Sequence, residues 1–415
     1  MTMNKQPIHI NDRQYQWPKK PLVVICMDGS EPAYIEQAIN ANVMPFTEKM
    51  FKTGANLRAK CVVPSFTNPN NLSIVTGAPP SIHGICGNYY YDKKNDQEVL
   101  MNDPALMRAD TIFKAFQNAG ATIAIITAKD KLRKQLGHGL TYGTGTAVCF
   151  SSEKADQTNL AEHGIDHADQ LLNRPIPSVY SADLSEYIFA AGVELLKSMQ
   201  PDVMYLSTTD YVQHKHAPGT TEANAFYTMM DSYFEQLHNL GADLAMTADH
   251  GMNAKHLPNG EPDALYLADV LDKKFGPSST RVICPITDPY VVHHGALGSF
   301  VTVYVTDASS INNIITYIKS LDGIDQVYTN DEGCKEFQLL NQRMGDIIVV
   351  SEKNKVIGTR RSDHDLSGLK EPLRSHGGIS EQTVPLMFSR PVKDEFTSKQ
   401  LRNFDIFDIA LNHTN

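Results

Sequence analysis

The chain has 415 residues, 41% of them hydrophobic and 20% charged, the make-up of a folded globular protein rather than a disordered one. Its 47 acidic residues against 37 basic ones give a net charge of -10, which argues against nucleic acid or an anionic membrane surface as the main partner. The length exceeds what a single core usually fills, so one large domain with a smaller companion is expected. No apolar run reaches the length of a bilayer span, and the N-terminal segment lacks the apolar stretch of a secretory leader, so a cytoplasmic setting is expected. The six cysteines (Cys26, Cys61, Cys86, Cys149, Cys284, Cys334) show no metal or disulfide spacing and read as buried, reduced thiols. Any metal must then be held by histidine and carboxylate.

Residues 21–27 form a continuous apolar run typical of a central parallel strand, ending at Asp28-Gly29-Ser30 and giving way to helical periodicity through Tyr34, Ile35, Ala38 and Ile39. Similar strands are expected at 121–126, at 202–206 after a helix over about 181–199, and at 243–246 after a helix over about 221–240. Strands alternating with amphipathic helices predict an α/β core, a three-layer sandwich around a mostly parallel sheet. Between about 255 and 370 the texture changes: a strand at 300–305, a helix at 311–321, short strands near Val327 and at 347–350, and a hairpin-like 352–355. A buried strand at 384–388 and a helix near 404–411 follow. The predicted organisation is a discontinuous core, 20–254 with 371–412, carrying an α+β cap over 255–370.

Candidate ligands fall just beyond the predicted core strands: Asp28 after the first, Asp210 and His214 after the third, Asp249 and His250 after the fourth. In open α/β sheets this edge is where ligands bind. Clustered aspartates repel unless a cation neutralises them, and imidazole with carboxylate suits zinc. Asp210 and His214, four apart, are expected one helical turn apart on one face. Asp249 and His250 are expected to reach two sites, or one site and its surroundings. His376 lies in the Gly-rich turn Ser375-His376-Gly377-Gly378 before the last strand. Taken singly, a strand-end Asp is usually a turn former or helix cap, and Asp-x-x-x-His is a weak pattern. His83, His138, His163, His167, His256, His293, His294 and His364 are read as surface or capping residues.

Thr67, in Pro64-Ser65-Phe66-Thr67-Asn68-Pro69, falls where a loop enters a helix, whose free N–H groups and dipole favour a phosphoryl group. A neighbouring zinc would activate its hydroxyl. The competing reading is that Thr67 only caps the helix.

Asp28-Gly29-Ser30, the loop around Thr67, His83-Gly84-Ile85-Cys86-Gly87-Asn88, the Thr209–Gly219 stretch, Thr247-Ala248-Asp249-His250-Gly251 and Ser375-His376-Gly377-Gly378 occur in the order seen in the alkaline phosphatase superfamily. The chain resembles that superfamily along its whole length, most of all its phosphonoacetate-cleaving hydrolases. The resemblance implies two zinc ions, one on Asp210, His214 and His376, the other on Asp28, Thr67, Asp249 and His250. It implies cleavage of the C–P bond of phosphonoacetate to acetate and phosphate through a phosphothreonine on Thr67. It also points to Asn88 as a donor to a phosphoryl oxygen, and to Lys129 and Lys131 as partners of the substrate carboxylate. The competing reading of these lysines is a solvated basic loop, given Arg133 and Lys134 nearby. Sulfatases are disfavoured because their Cys/Ser-x-Pro-x-Arg signature is missing around Thr67.

Alternatives are a nucleotide pyrophosphatase/phosphodiesterase using Tyr89, Tyr90 and Tyr91 as an aromatic slot, a mutase, and a catalytically silent metal- or phosphonate-binding protein. The expected partners are a small anionic phosphonate and, for assembly, a second copy of the chain; nucleic acid and membrane are not expected.

Overall fold

The computed structural model describes residues 5–286 and 296–415; His293 and His294 lie outside the described residues. Among the described residues the main sheet has eight strands. In spatial order they are Leu401–Arg402, Ala55–Lys60, Thr383–Phe388, Asp243–Thr247, Leu22–Cys26, Val203–Ser207, Ile123–Thr127 and Ala147–Ser151. Strands from Asp243–Thr247 to Ala147–Ser151 run parallel, whereas Thr383–Phe388 is antiparallel to both of its neighbours.

The apolar runs of the central strands are buried on both sides because successive side chains point to opposite faces. Leu22, Val24, Cys26, Ile123, Ile125, Val203 and Tyr205 face one apolar layer, built with Leu72, Phe113, Leu132 and Phe407. Val23, Ile25, Ala124, Ile126, Met204 and Leu206 face the other, built with Tyr34, Ile35, Leu184, Phe189, Phe226 and Phe234. These partners belong to helices Thr67–Thr76, Ile112–Asn118, Asp130–Leu136 and Ile406–Asn412 on one face, and Pro32–Asn40, Asp183–Ser198 and Thr221–Asn239 on the other. Helices on both faces of a large mixed sheet make the three layers.

The chain leaves this sheet through Asn253–Ala254 and returns through Arg374–Ser375, which pair with each other antiparallel. In between lies a second, antiparallel sheet ordered Thr280–Ile283, Phe300–Val305, Ile347–Ser351, Ile324–Thr329. Phe300 meets Phe66 edge-on at 6.4 Å, so this sheet's apolar face joins the main core near Thr67. The expected hairpin at 352–355 does not form. The turn exists, with Lys355 N–H donating to the Glu352 carbonyl at 3.2 Å. Ile347–Ser351 already has a strand on each side, so Val356–Gly358 pairs instead with Ala264–Tyr266, in parallel.

Candidate active site

The candidate ligands converge at the carboxyl edge of the parallel strands as two buried groups, Asp210 with His214 and His376, and Asp28 with Asp249 and His250. Within each group, one ligand-type atom from every residue lies within 4.8 Å of the others. Asp28 follows Leu22–Cys26 and enters a turn in which Gly29 has φ +69°. A methyl group on Gly29 would lie 2.9 Å from Asp210 Cβ and 3.2 Å from Gln213 Cβ, so only glycine lets these two turns approach. Asp210 and His214 stand in consecutive turns rather than on an α-helix. One i to i+4 bond, from His214 N–H to the Asp210 carbonyl at 3.0 Å, produces the expected one-turn spacing. Asp249 and His250 join a single group: Asp249 folds back to accept from its neighbour's backbone, His250 N–H to Oδ1 at 3.0 Å.

The three histidines are oriented alike. The Nδ1–H groups of His214, His250 and His376 donate to the carbonyls of Arg374, Gly251 and Ser65 at 2.8, 2.9 and 2.7 Å. Since a carbonyl only accepts, these bonds place a proton on Nδ1 and turn Nε2 inward, the orientation a metal-binding imidazole needs. His214 Nε2 lies 2.9 Å from Asp210 Oδ2, and His250 Nε2 lies 3.2 Å from Asp28 Oδ1. The rings of His250 and His376 stack at 3.7 Å and 7°, joining the two groups.

The electrostatics ask for cations. Burial first, then repulsion from Asp210 and Asp249, pushes the Asp28 carboxyl well above its usual range. Burial also raises Asp249, outweighing its attraction to His250. At Asp210 burial is overcome by His214, His376 and His250, which hold it well below the usual range. Burial opposes a charge on His250, yet Asp249 and Asp28 push that ring up to about 10. Burial and then the His250 charge push His376 well down. Asp28 Oδ1 is shut from solvent and faces His250 Nε2 at 3.2 Å. Crowded buried carboxylates and inward Nε2 atoms fit divalent metals; the donor set is all nitrogen and oxygen.

Thr67 is the first residue of the Thr67–Thr76 helix, and the N-cap position falls on Phe66. Thr67 Oγ1 points to His250 Nε2 at 3.4 Å. Sequence reasoning missed its supports. Asn70 accepts from Val62 N–H at 2.7 Å and donates to the Phe66 carbonyl at 3.0 Å, bracing the loop before Thr67. Asn71 donates to the Thr67 carbonyl at 3.1 Å and to Asp249 Oδ2 at 3.2 Å. It also accepts from the Tyr205 and Ser207 hydroxyls at 2.8 and 3.0 Å. The available signal was two asparagines, poor helix formers, inside a helix that the fold buries.

Lys129 and Lys131 are half-buried at the start of the Asp130–Leu136 helix, which packs on the Thr67–Thr76 helix. The basic cluster is not uniformly solvated: Arg133 is buried on Asp130 at 2.7 Å, while Lys134 is exposed. Asn88 is half-buried, and its Oδ1 has no hydrogen-bond partner among the described residues. Tyr91 packs edge-on to Tyr304 at 5.1 Å and under the Arg281 guanidinium at 4.0 Å. Tyr89 and Tyr91 line a cavity of about 900 Å³ whose described lining includes none of the candidate ligands. His83, expected near the surface, is fully buried: its Nε2 pairs with Ser73 Oγ at 2.9 Å, and burial, then Arg343, pushes it down to about 3.

A family model described as Type I phosphodiesterase / nucleotide pyrophosphatase matches residues 22–379. The chain belongs to that family. Among solved structures, the chain is similar to phosphonoacetate hydrolase from Sinorhizobium meliloti 1021. Its complex with phosphonoformate is 54% identical, covers 99% of each chain and superposes with a TM-score of 0.96. Its complex with phosphonoacetate gives 53% and 0.95 over the same share. Murine ectonucleotide pyrophosphatase / phosphodiesterase 5, at 16% identity and a TM-score of 0.64 over 95% of this chain and 96% of its own, shares the fold. Ectonucleotide pyrophosphatase/phosphodiesterase 1 of Saccharomyces cerevisiae is 23% identical over 80% of this chain, which spans 46% of that relative's length. Among the described residues, no helix is long and apolar enough to cross a membrane.

Proposed function

We propose that the protein is a zinc-dependent hydrolase that converts phosphonoacetate and water to acetate and phosphate. The observation that carries this choice of substrate is the likeness over 99% of both chains to a hydrolase structure holding phosphonoacetate. Relatives named for nucleotides match far less closely. Among the described residues, the cavity that Tyr89 and Tyr91 line includes none of the candidate ligands, which does not favour these two rings as a nucleotide slot beside the metals.

In this reading Asp210, His214 and His376 hold one ion, and Asp28, Asp249, His250 and Thr67 hold the other. The ions, when bound, supply positive charge that neutralises the phosphonyl oxygens and acidifies the Thr67 hydroxyl. Thr67 Oγ1, set at a helix start, attacks phosphorus as the C–P bond breaks, giving a phosphothreonine. The bonding pair leaves with the CH2–COO⁻ fragment as an enolate-like carbanion, which takes a proton to become acetate. Charge on that fragment builds toward its carboxylate, and in this reading the Lys129 and Lys131 ammonium groups oppose it. Asn88 donates to a phosphonyl oxygen. Water then cleaves the O–P bond of the phosphothreonine, releasing phosphate and restoring Thr67. Six buried cysteines, none in a disulfide among the described residues, support a reducing, cytoplasmic setting.

The test is phosphate release from phosphonoacetate by the purified protein, after chelation and after zinc is restored, beside an aryl nucleotide diester. Zinc-restored turnover of phosphonoacetate well above the diester is expected. Preference for the diester, or turnover indifferent to chelation, would overturn the reading.

A further inference from the structure

Lys255 and Glu381 form an ion pair with no exposed side-chain surface, Nζ to Oε1 at 2.9 Å, outside both ligand groups. A pair like this is a poor source of net stability, because the loss of hydration largely offsets the attraction. Its geometry is more informative. Glu381 Oε1 also accepts from Asn253 Nδ2 and Ser380 Oγ, each at 2.6 Å, and Oε2 accepts from Gly378 N–H at 2.9 Å. The Glu381 main-chain carbonyl accepts from Gly251 N–H at 2.7 Å. Gly251 directly follows His250, and Gly378 lies just beyond His376. A single residue thus ties together the loops that bear the two stacked rings.

The ties continue in both directions. Gly378 carbonyl accepts from Ser65 Oγ at 2.9 Å, and Ser65 carbonyl orients His376 in the loop that leads to Thr67. On the other side, Lys255 Nζ donates to the Lys353 carbonyl at 2.5 Å, in the turn after Ile347–Ser351 of the second sheet. Lys255, Ser380 and Asn253 outweigh burial and keep the Glu381 carboxylate below its usual range, so it acts as a fixed acceptor.

We propose that Glu381 is the positioning residue of the two-metal site: it sets the His250 loop against the His376 loop, with Lys255 as counter-ion and as link to the second sheet. The proposal rests on the metal reading above, and touches no reacting atom. Removing the charge loosens the relative placement of the two rings, so ions are held less firmly and Thr67 is less well aimed.

The test uses the full chain loaded with Co²⁺, whose visible spectrum reports ligand geometry. Wild type is compared with Glu381→Gln and with Asn253→Ala, which removes one donor but leaves the ion pair. Ion stoichiometry, the rate of ion loss to a chelator, the spectrum, and kcat and KM on phosphonoacetate are measured. Glu381→Gln is expected to lose ions about 10- to 100-fold faster, the usual effect of deleting a support behind metal ligands. Its spectrum shifts and its kcat falls more than its KM rises; Asn253→Ala moves the same way by less. If Glu381→Gln fails to fold, Asn253→Ala carries the comparison alone. Ion loss and spectrum equal to wild type, whatever the change in melting temperature, would overturn the role of Glu381. Wild type that takes up fewer than two ions would instead overturn the metal reading.

Discussion

Replacing Gly29 with alanine introduces a single methyl group at the place where the two ligand turns touch. The backbone there has φ +69°, and the new Cβ would lie 2.9 Å from Asp210 Cβ and 3.2 Å from Gln213 Cβ. Holding an L-residue in the left-handed region costs about 1–2 kcal/mol. Pressing a carbon into a packed site adds about 1–3 kcal/mol. The lower backbone entropy of unfolded alanine returns about 0.4–1 kcal/mol. Strain and contact win, and the metal-free variant is expected to lose roughly 1–5 kcal/mol, read by urea denaturation beside wild type. Relief of the contact moves the Asp28 turn away from the Asp210 turn, so zinc titration should also show weaker uptake. A loss below about 0.5 kcal/mol, the range of ordinary surface changes, together with unchanged zinc uptake, would refute the argument that these turns need a glycine.

Thr67→Ala should lower phosphate release from phosphonoacetate by on the order of a thousandfold or more while zinc content stays largely intact on the remaining ligands, and retained turnover would remove the nucleophile. Lys129→Met and Lys131→Met should slow phosphonoacetate cleavage at least ~10-fold more than cleavage of an aryl phosphate ester; equal losses on both would remove the carboxylate role. Zinc loading should release protons: Asp28 and Asp249 are raised and His250 is pushed up to about 10 in the metal-free site, whereas bound ligands are deprotonated. Affinity therefore falls as pH is lowered, and a pH indicator in weak buffer near neutrality should record the release; loading without it contradicts the charge distribution described above.

The core strands were legible because both faces of Leu22–Cys26, Ile123–Thr127 and Val203–Ser207 are buried, which leaves continuous apolar runs in the sequence. Ala55–Lys60 was not: it alternates polar and apolar near the sheet edge, and its pairing with Thr383–Phe388 spans most of the chain. The partner of Val356–Gly358 was hidden for a related reason, since it depends on which strand edges remain open after folding. At the site, the residue types and their places after strands were readable. The carbonyl partners that turn each imidazole were not, because Arg374, Gly251 and Ser65 offer only backbone there. His83 shows the limit of treating an unexplained histidine as exposed: its polar atoms are satisfied locally by Ser73 and Ile85.

Asn253–Ala254 and Arg374–Ser375 stand side by side where the chain leaves and re-enters the main sheet. Because Thr383–Phe388 runs against its neighbours, the chain arrives at its start on the same edge where the parallel strands end, and His376 is delivered there. The intervening segment thus leaves and rejoins the main sheet at one place, although its own sheet shares the apolar core beside Thr67. All six buried ligand residues lie outside this segment, so its loops can change length without moving any of them along the chain's core strands. The segment is felt by the metal-bearing loops where it touches them: Lys255 on Glu381, Ser299 N–H on the His376 carbonyl, and Phe300 on Phe66 beside Thr67.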